Sequence, residues 1–384
     1  MQILTDVLLS EENRMVRQVA RKFADKELGP IAEEIDENER FPMDVYKKAG
    51  DNGLIGSTIP VEDGGGGAGL LTNALIKEEF CRVASGFGMS VNMCTTNFSY
   101  FISKYGTEQQ RNKFIPPVIQ GDELAAFCLT EPEAGSDALS LKTSYKENRD
   151  KFVLKGSKTF ITNAPIAKYF LVVARQEESF GVKGGTLFIL EREMNGLSTG
   201  KPFQKMGMRC SPTGEVFIDN VKVTEDHILG GEGNGFPIMF ETLDEERILG
   251  AANSIGIGQA CIEVAVRYSK ERVQYNQAIS SFQMIQSMLA DMATNLCVAR
   301  QYTYSLCPLV EKGIKVTKEA AIAKYFASRM ATEVALNAIQ ILGGYGYMRE
   351  YGVERYMRDA KLVEIGGGTS EIQKLIIARE LLKE

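Results

Sequence analysis

The sequence predicts an α+β fold: an N-terminal helical domain, a middle antiparallel β domain and a C-terminal domain built on a four-helix bundle. Helical periodicity at both ends of the chain and short Val-, Ile- and Phe-rich runs in the middle carry this prediction. The strand-like runs are not interleaved with long helical segments, which disfavours a doubly wound sheet. We expect the domains to span 1–120, 121–230 and 231–384.

The N-terminal part has two clear helix starts. Ser10 precedes two acidic residues and an apolar repeat that ends near Phe23, as expected of an N-cap and its helix. Thr107 followed by Gln110 has the spacing of a capping box. Between these helices lies the glycine-rich segment "PVEDGGGGAG", which fits a flexible connection. It could also cradle a phosphate, although it lacks the Lys-Ser/Thr of a P-loop.

The middle and C-terminal parts differ in their patterns. "KFVLKG", "KYFLVVA", "GTLFIL" and "GEVFIDNVKV" are short β-prone runs separated by Gly, Asn and Pro. The stretches 281–312 and 317–342 contain little glycine and are long enough for bundle helices. No GxGxxG motif follows a predicted strand, which argues against a Rossmann domain.

Composition excludes several classes of function. A length of 384 residues exceeds one simple core, and the net charge of -6 disfavours broad binding to nucleic acid or anionic membrane. No apolar run reaches the roughly 20 residues of a membrane span. The first residues lack the order of a secretory or transit signal, and the seven cysteines include no CxxC pair. We therefore expect a cytoplasmic protein with reduced, mostly buried thiols and no metal.

The single histidine, His227, lies in a loop-like stretch. A Ser-His-Asp triad or a multi-histidine site therefore has almost no residues to be built from, and a lone loop histidine is usually solvated. The chemistry must depend on carboxylates or on a bound cofactor.

Five segments closely resemble, in the same order, the motifs of acyl-CoA dehydrogenases. They are "FCLTEPEAGSD" (127–137), "GSKTFITNA" (156–164), "ERVQYNQAI" (271–279), "QILGGYGY" (340–347) and "GGGTSEIQKLIIAR" (366–379). The resemblance covers essentially the whole chain, including its helix–β–helix order. It implies the fold of that family, FAD as cofactor and an acyl-CoA thioester as substrate.

The resemblance also implies the residues around the flavin. Thr130 would donate a hydrogen bond near the reactive N5, where a donor stabilises reduced flavin. Ser136 would approach both the diphosphate of the cofactor and the pantetheine of the substrate. Taken alone, Phe160 fits a core aromatic equally well. The implied contacts on this side of the cofactor are Phe127, Leu129, Thr130, Ser136, Phe160 and Thr162.

The adenosine side of FAD would be bound by a second group of residues. Arg272 matches an arginine that pairs with the diphosphate, for which its planar guanidinium is suited. In this family such contacts come from a neighbouring subunit, which implies at least a dimer and usually a tetramer. Without the resemblance, "LGGYGY" is a glycine turn that ends a helix. The implied residues are Arg272, Tyr275, Gln283, Gln340, Gly343 and Gly344, and Thr369 and Glu371 are further implied contacts of the cofactor.

Three charged residues match positions that hold CoA in the family. Asp244 and Arg247 belong to "LDEER", and Arg379 lies near the C-terminus. By spacing alone, an Asp/Arg pair three residues apart on a helix is more often a surface ion pair.

The usual catalytic base of the family is absent. Where many members have Glu in "YEGT", this sequence has "GGGT", so the position is Gly367. Isovaleryl-CoA and long-chain acyl-CoA dehydrogenases have the same glycine and take their base from an earlier helix. Their motif resembles "LDEERILGAA", in which Glu246 occupies the matching position. A carboxylate in a water-poor pocket has a raised pKa, which suits a base, although a solvated helix start is the alternative.

These residues lead to an expected reaction. Glu246 would remove the α proton, the Gly367 N–H would polarise the thioester, and electrons would pass to an electron-transfer flavoprotein. Gly366 and Gly367 remove bulk beside the reacting carbons, which suggests a short-chain, branched or alicyclic acyl group. An enoyl-CoA reductase on the same scaffold, a non-catalytic acyl-CoA-binding flavoprotein and an oxidase remain alternatives.

Overall fold

The computed structural model describes residues 9–148, 151–177, 179 and 181–383. The first part is helical. Its α-helices are α1 (Glu11–Phe23), α2 (Ala32–Glu37), α3 (Met43–Asp51), α4 (Leu70–Val83), α5 (Ser85–Cys94), α6 (Tyr100–Tyr105) and α7 (Glu108–Ile119). A π-helical turn at Thr95–Ser99 joins α5 to α6.

The sequence signals at two helix starts are confirmed. The Ser10 hydroxyl accepts a hydrogen bond from the Asn13 N–H at 3.1 Å. Thr107 and Gln110 form both hydrogen bonds of a capping box at the start of α7. These side chains satisfy N–H groups that have no partner within the helix.

The middle part is one eight-stranded sheet with the order β6-β7-β3-β2-β4-β5-β8, in which β1 also pairs with β4. Most pairs are antiparallel, as the sequence predicts, but β1 and β2 each run parallel to β4. The strands are β1 (Ala125–Cys128), β2 (Ser144–Asn148), β3 (Lys151–Thr162), β4 (Tyr169–Gln176), β5 (Gly185–Glu191), β6 (Leu197–Thr199), β7 (Thr213–Val223) and β8 (Ile228–Leu229).

The two central strands explain how the sheet is fixed to the helices. Leu171 and Val173 of β4 belong to the core formed with the N-terminal helices. Phe170 and Val172, on the opposite face of the same strand, lie in a separate β core. Because alternate residues point to opposite faces, both faces of β4 are buried, and the strand is a nearly continuous apolar run.

The C-terminal part is helical again and contains one small hairpin. Its helices are α8 (Gly235–Glu241), α9 (Leu243–Glu271), α10 (Gln283–Glu311), α11 (Thr317–Leu342), α12 (Val353–Ile365) and α13 (Ser370–Leu381), and the hairpin strands are β9 (Val273–Gln274) and β10 (Gln277–Ala278). By length and composition α9 could cross a membrane, but 83% of its most apolar window is buried inside the protein. It is therefore a core helix, packed among the other helices.

A buried ionic cluster joins the two helical parts. Glu78 on α4 pairs with Arg300 on α10 at 2.8 Å and with Arg17 on α1 at 3.4 Å. The buried face of α1 consists of Arg17, Ala20 and Phe23, whereas Met15, an apolar residue of the same helix, is exposed. Removing one member would leave an uncompensated buried charge, which is strongly destabilising.

Candidate active site

The start of α9 carries the predicted base. Glu246 is partly buried, and its Oε1 atom is buried without a hydrogen-bond partner among the described residues. Burial raises the pKa of this carboxyl, against the opposing effects of Lys77, the nearby Asn97 amide and Arg247. A carboxyl with a raised pKa and one free buried oxygen is suited to accept a proton.

The neighbouring acid has a different environment. Glu245 accepts a hydrogen bond from the Tyr100 hydroxyl at 3.2 Å. It lies about 100° around the helix from Glu246, so the two carboxyls point to different surroundings. The geometry therefore distinguishes two adjacent glutamates that the sequence pattern alone cannot.

The glycine loop before α13 is held close to the face of α9 that carries Glu246. Lys324 on α11 donates to the Gly366 carbonyl at 2.9 Å and to the Gly368 carbonyl. The Lys324 side chain passes Gly250, where an added Cβ would lie 3.6 Å from its Cγ. Gly250 follows Glu246 by one helical turn on the same face. Burial and the Arg247 charge lower the pKa of Lys324 to about 8.

Gly367 has the backbone that a thioester-binding role requires. Its φ is +63°, and among the described residues its N–H donates no hydrogen bond. The loop is fixed from the other side by Gln373, whose amide donates to the Gly367 and Gly368 carbonyls at 3.3 and 3.0 Å. A free N–H on a fixed loop can donate to a bound oxygen.

The predicted CoA residues lie beside this site. Arg247 is buried and pairs with Asp244 at 2.9 Å, and Asp244 also accepts from the Thr317 hydroxyl at 2.9 Å. Arg379 is exposed on α13, near enough for its charge to act on Arg247. The surface ion-pair alternative fails for Arg247, because this guanidinium is buried.

The segment that contains Thr130 is fixed by a buried ion pair. The Lys158 ammonium donates to Glu131 at 2.8 Å and to the Leu129 carbonyl at 3.0 Å. The backbone N–H groups of Lys142 and Thr143 donate to the same carboxylate. These contacts hold Leu129 and Thr130, both partly buried, in one conformation.

The same segment reaches the surroundings of Glu246 through aromatic packing. The Phe127 ring stacks on Phe101 with centroids 5.8 Å apart. Phe101 follows Asn97 by about one helical turn, and Asn97 lies beside the Glu246 carboxyl. The β strand that leads to Thr130 and the helix that carries the base therefore border the same region.

Phe160 is not a core residue. A β-bulge interrupts β3 between Lys158 and Ile161, and there Phe160 takes a φ of +56°. Its side chain is 69% exposed and packs on Phe203 at 5.7 Å. The core-aromatic alternative is therefore wrong. The bulge directs the ring outwards, where it can shield a flat ligand. Thr162 is partly buried at the end of this strand, and Ser136 is exposed.

The adenosine-side residues line a separate cleft of about 630 Å³. The Arg272 guanidinium lies 5.3 Å above the Tyr345 ring, and Tyr275 on the adjoining hairpin is 89% exposed. Added Cβ atoms at Gly343 and Gly344 would meet nothing within 4 Å. This open surface, with a planar cation and small residues, fits a diphosphate and its nucleoside.

The remaining predicted cofactor residues are accessible. Gln283 and Gln340 are exposed at helix ends near the cleft. Thr369 caps α13 by accepting from the Ile372 N–H at 3.3 Å, and Glu371 is exposed in the first turn.

The two groups of predicted residues lie at opposite ends of α9. Glu246 is in its first turn, and Arg272 follows its last residue. With a rise of 1.5 Å per residue, the 26 steps from Glu246 to Arg272 span about 39 Å. One chain therefore does not place both groups around a single flavin ring.

Several residues of the site escaped the sequence interpretation. Lys77, Asn97 and Lys324 surround Glu246 and the glycine loop, and Lys158 and Glu131 fix the segment at Thr130. Lys158 and Glu131 lie inside the motifs quoted above, and this position was the sequence signal that could have identified them. Lys77 and Lys324 lie in helical stretches where a lysine usually faces solvent.

Comparison with known proteins agrees with this architecture. Family models of acyl-CoA dehydrogenases match along the chain: the N-terminal domain at 10–122, the middle domain at 126–221 and the C-terminal domain at 233–382. The protein is thus an FAD-dependent oxidoreductase. The chain belongs to the acyl-CoA dehydrogenase family.

Individual relatives cover nearly the full length. The 3-(aryl)acrylate reductase of Clostridium sporogenes is 41% identical over 98% of this chain and 100% of its own. The mitochondrial isovaleryl-CoA dehydrogenase of Solanum tuberosum is 39% identical over 99% and 93%. A chain in the solved structure described as the electron transferring flavoprotein of Acidaminococcus fermentans has a TM-score of 0.95 and 40% identity, covering 98% of this chain and 99% of that one.

Proposed function

We propose that this protein desaturates the α,β bond of a short-chain, branched or alicyclic acyl-CoA and passes the electrons to an electron-transfer flavoprotein. The observation that carries the proposal is the buried Glu246 Oε1, which has no hydrogen-bond partner among the described residues and belongs to a carboxyl on the helix face beside the Gly367 loop. The choice of electron acceptor is supported by one solved structure, which is described as an electron transferring flavoprotein and contains a chain similar to this one.

The chain's own residues divide the work of the reaction. Glu246 accepts the α proton, and the Gly367 N–H donates to the thioester oxygen as negative charge develops there. Arg247, held by Asp244, binds CoA together with Arg379. The chemistry that FAD supplies when bound is acceptance of the β hydrogen as hydride. Loss of one proton and one hydride leaves the α,β double bond.

The FAD contacts are assigned to two copies of the chain. Thr130, Thr162 and Phe160 of one subunit would face the ring, and the cleft with Arg272 would take the adenosine half of a neighbour's FAD. The separation of about 39 Å along α9 supports this division. We propose a cytoplasmic homotetramer, each chain retaining the three domains 1–120, 121–230 and 231–384.

A second candidate is an enoyl-CoA reductase that runs the same steps backwards. The 41% identity to a 3-(aryl)acrylate reductase favours it. Protonated Glu246 would then return a proton to the α carbon. A non-catalytic acyl-CoA-binding role is disfavoured, because it gives no reason to keep a carboxyl oxygen buried without a partner.

The test is anaerobic mixing of the FAD-loaded protein with saturated acyl-CoAs while flavin absorbance is followed. Butyryl, isobutyryl, isovaleryl, glutaryl, cyclohexanecarboxyl and octanoyl thioesters form the panel. Bleaching by a saturated thioester supports the dehydrogenase. Reoxidation of the reduced protein by an enoyl-CoA, without bleaching by its saturated partner, supports the reductase. No response in either direction would contradict both.

A further inference from the structure

Lys77 is a buried lysine beside the candidate base. Its side chain leaves α4 in the middle of the apolar stretch "ALIKEEF", and the residue is only 5% exposed. Among the described residues no acceptor lies within hydrogen-bonding distance of its ammonium, and no carboxylate lies within the 4.0 Å of an ion pair. An ammonium without a partner in such a nearly buried position is costly, so its retention needs a reason.

The charges around Lys77 are few. Burial lowers the pKa of its ammonium, and the groups that act against this effect are Cys81 and Glu246. Burial raises the pKa of the Cys81 thiol to about 12, so Cys81 is neutral. Glu246 is thus the charge that opposes Lys77, yet the two groups do not touch. A group bound between Lys77 and Glu246 would lie beside the atoms at which the base must act.

The side chains that lead to Glu246 on its Asn97 side are polar. Asn97 lies beside Glu246, and its side-chain oxygen accepts from Asn92 at 3.5 Å. Asn92 in turn accepts from Thr96 at 3.3 Å, and Thr96 accepts from Asn73 at 3.4 Å. All four side chains are at least nine-tenths buried. An aliphatic acyl tail gains nothing from such surroundings, whereas a polar substituent does.

Proton transfer to Glu246 removes the charge that opposes Lys77. When Glu246 takes up the α proton, its charge disappears and Lys77 is left without an opposing charge. A negative group on the substrate would keep Lys77 compensated. Before the transfer, this negative group would also offset the effect by which Lys77 lowers the pKa of Glu246. The bound substrate would thereby make Glu246 a stronger base.

From these observations we infer that Lys77 binds a second carboxylate on the acyl group, so that the substrate is a short dicarboxylic acyl-CoA. The carboxylate lies a few bonds from the thioester, because Lys77 and Glu246 act on the same space. This inference rests on the proposed function and narrows its substrate class. A lysine that only polarised the thioester carbonyl would promote every substrate equally, which gives the two roles different consequences.

The test uses matched thioesters that differ by a carboxylate in place of a terminal methyl. Glutaryl-CoA is paired with valeryl-CoA, and 2-methylsuccinyl-CoA with 2-methylbutyryl-CoA. We expect kcat/KM for flavin reduction to favour at least one dicarboxylic member over its neutral partner by about tenfold to a hundredfold, as for one charge-assisted hydrogen bond. In Lys77→Met, with all rates compared on the high-pH plateau where Glu246 is ionised, this ratio should collapse towards one, because only the dicarboxylic thioester loses a charged partner. Lys77→Arg should retain part of the preference.

Two controls separate specificity from folding and from catalysis. Lys22→Met, on an exposed position of α1, should leave the ratio unchanged. In the FAD-loaded Glu246→Gln variant, which we expect to turn over far more slowly than the wild type, calorimetry should give tighter binding of the dicarboxylic thioester. That difference should disappear on adding Lys77→Met.

Each contrary outcome has a distinct meaning. A wild-type preference for both neutral thioesters, or a ratio that Lys77→Met leaves unchanged, would overturn the substrate class and leave the dehydrogenase proposal standing. An equal loss of rate for all four thioesters in Lys77→Met would also overturn it, in favour of a general role at the carbonyl. Absence of reaction with all four thioesters and with the wider panel would defeat the inference together with the proposed function.

Discussion

The substitution Glu246→Gln isolates the proposed base. The amide has nearly the same size as the carboxyl, so packing at the start of α9 should be kept, but it cannot accept the α proton. Loss of a positioned general base typically costs about 10²–10⁴-fold in rate. We expect a loss near the upper end of this range, since the neighbouring acids are engaged elsewhere: Glu245 with Tyr100 and Asp244 with Arg247 and Thr317.

The assay is stopped-flow bleaching of the flavin by the best saturated thioester, in the absence of oxygen. Glu245→Gln is the matched control, one residue away on another face of the helix, and should bleach at close to the wild-type rate. Binding of the enoyl-CoA product should survive in Glu246→Gln, because Arg247 is untouched. Rapid bleaching by a fully FAD-loaded Glu246→Gln would refute the assignment, as would an equal loss in Glu245→Gln.

Three further predictions concern the groups around this base. Burial raises the pKa of Glu246, and only its carboxylate accepts a proton, so the rate of flavin reduction should increase with pH through that raised pKa. Because Lys77 lowers the same pKa, Lys77→Met should move this increase to higher pH. An unmoved pH profile would contradict this. Lys324→Met removes the side-chain donor of the Gly366 carbonyl, at a cost of about 1–3 kcal/mol if buried, and leaves the Gly368 carbonyl with Gln373 alone. Both the melting temperature and the reduction rate should therefore fall; unchanged values would show that the loop is held otherwise. Glu131→Gln leaves the Lys158 charge unpaired in the interior. The free energy of unfolding in urea should fall by about 3–5 kcal/mol, and FAD should be retained less well. An unchanged unfolding midpoint would argue that Lys158 is neutral there.

Much of the architecture could be predicted because local signals agree with it. The caps at Ser10 and Thr107 begin helices as predicted, and the stretches 281–312 and 317–342 correspond to Gln283–Glu311 and Thr317–Leu342. The two parallel pairings of β4 could not be anticipated, because strand direction depends on how β1 and β2 return to the sheet. That is a long-range property.

Hydrophobic periodicity could not predict the charged side chains in the interior. A lysine in a helical pattern usually marks the solvated face, and Lys77 and Lys324 contradict that rule only because α9 and its neighbours enclose them. Likewise, only a bulge that gives Phe160 a positive φ distinguishes an outward ring from a core one. These exceptions cluster around the site, where function opposes the preferences that guide sequence interpretation.

The pairing of Gly367 with Glu246 has a physical rationale in the loop conformation. Gly367 and Gly368 have φ values of +63° and +86°, a region that costs other residues about 1–2 kcal/mol each. A Cβ at Gly367 would meet nothing within 4 Å, so the obstacle to a carboxylate there is conformational rather than steric. Such a carboxylate would also sit on an exposed loop, whereas Glu246 is held on a packed helix in a water-poor position. In the proposed reaction, glycine at 367 frees the loop to present its N–H to the thioester, and the helix supplies a base whose position is fixed.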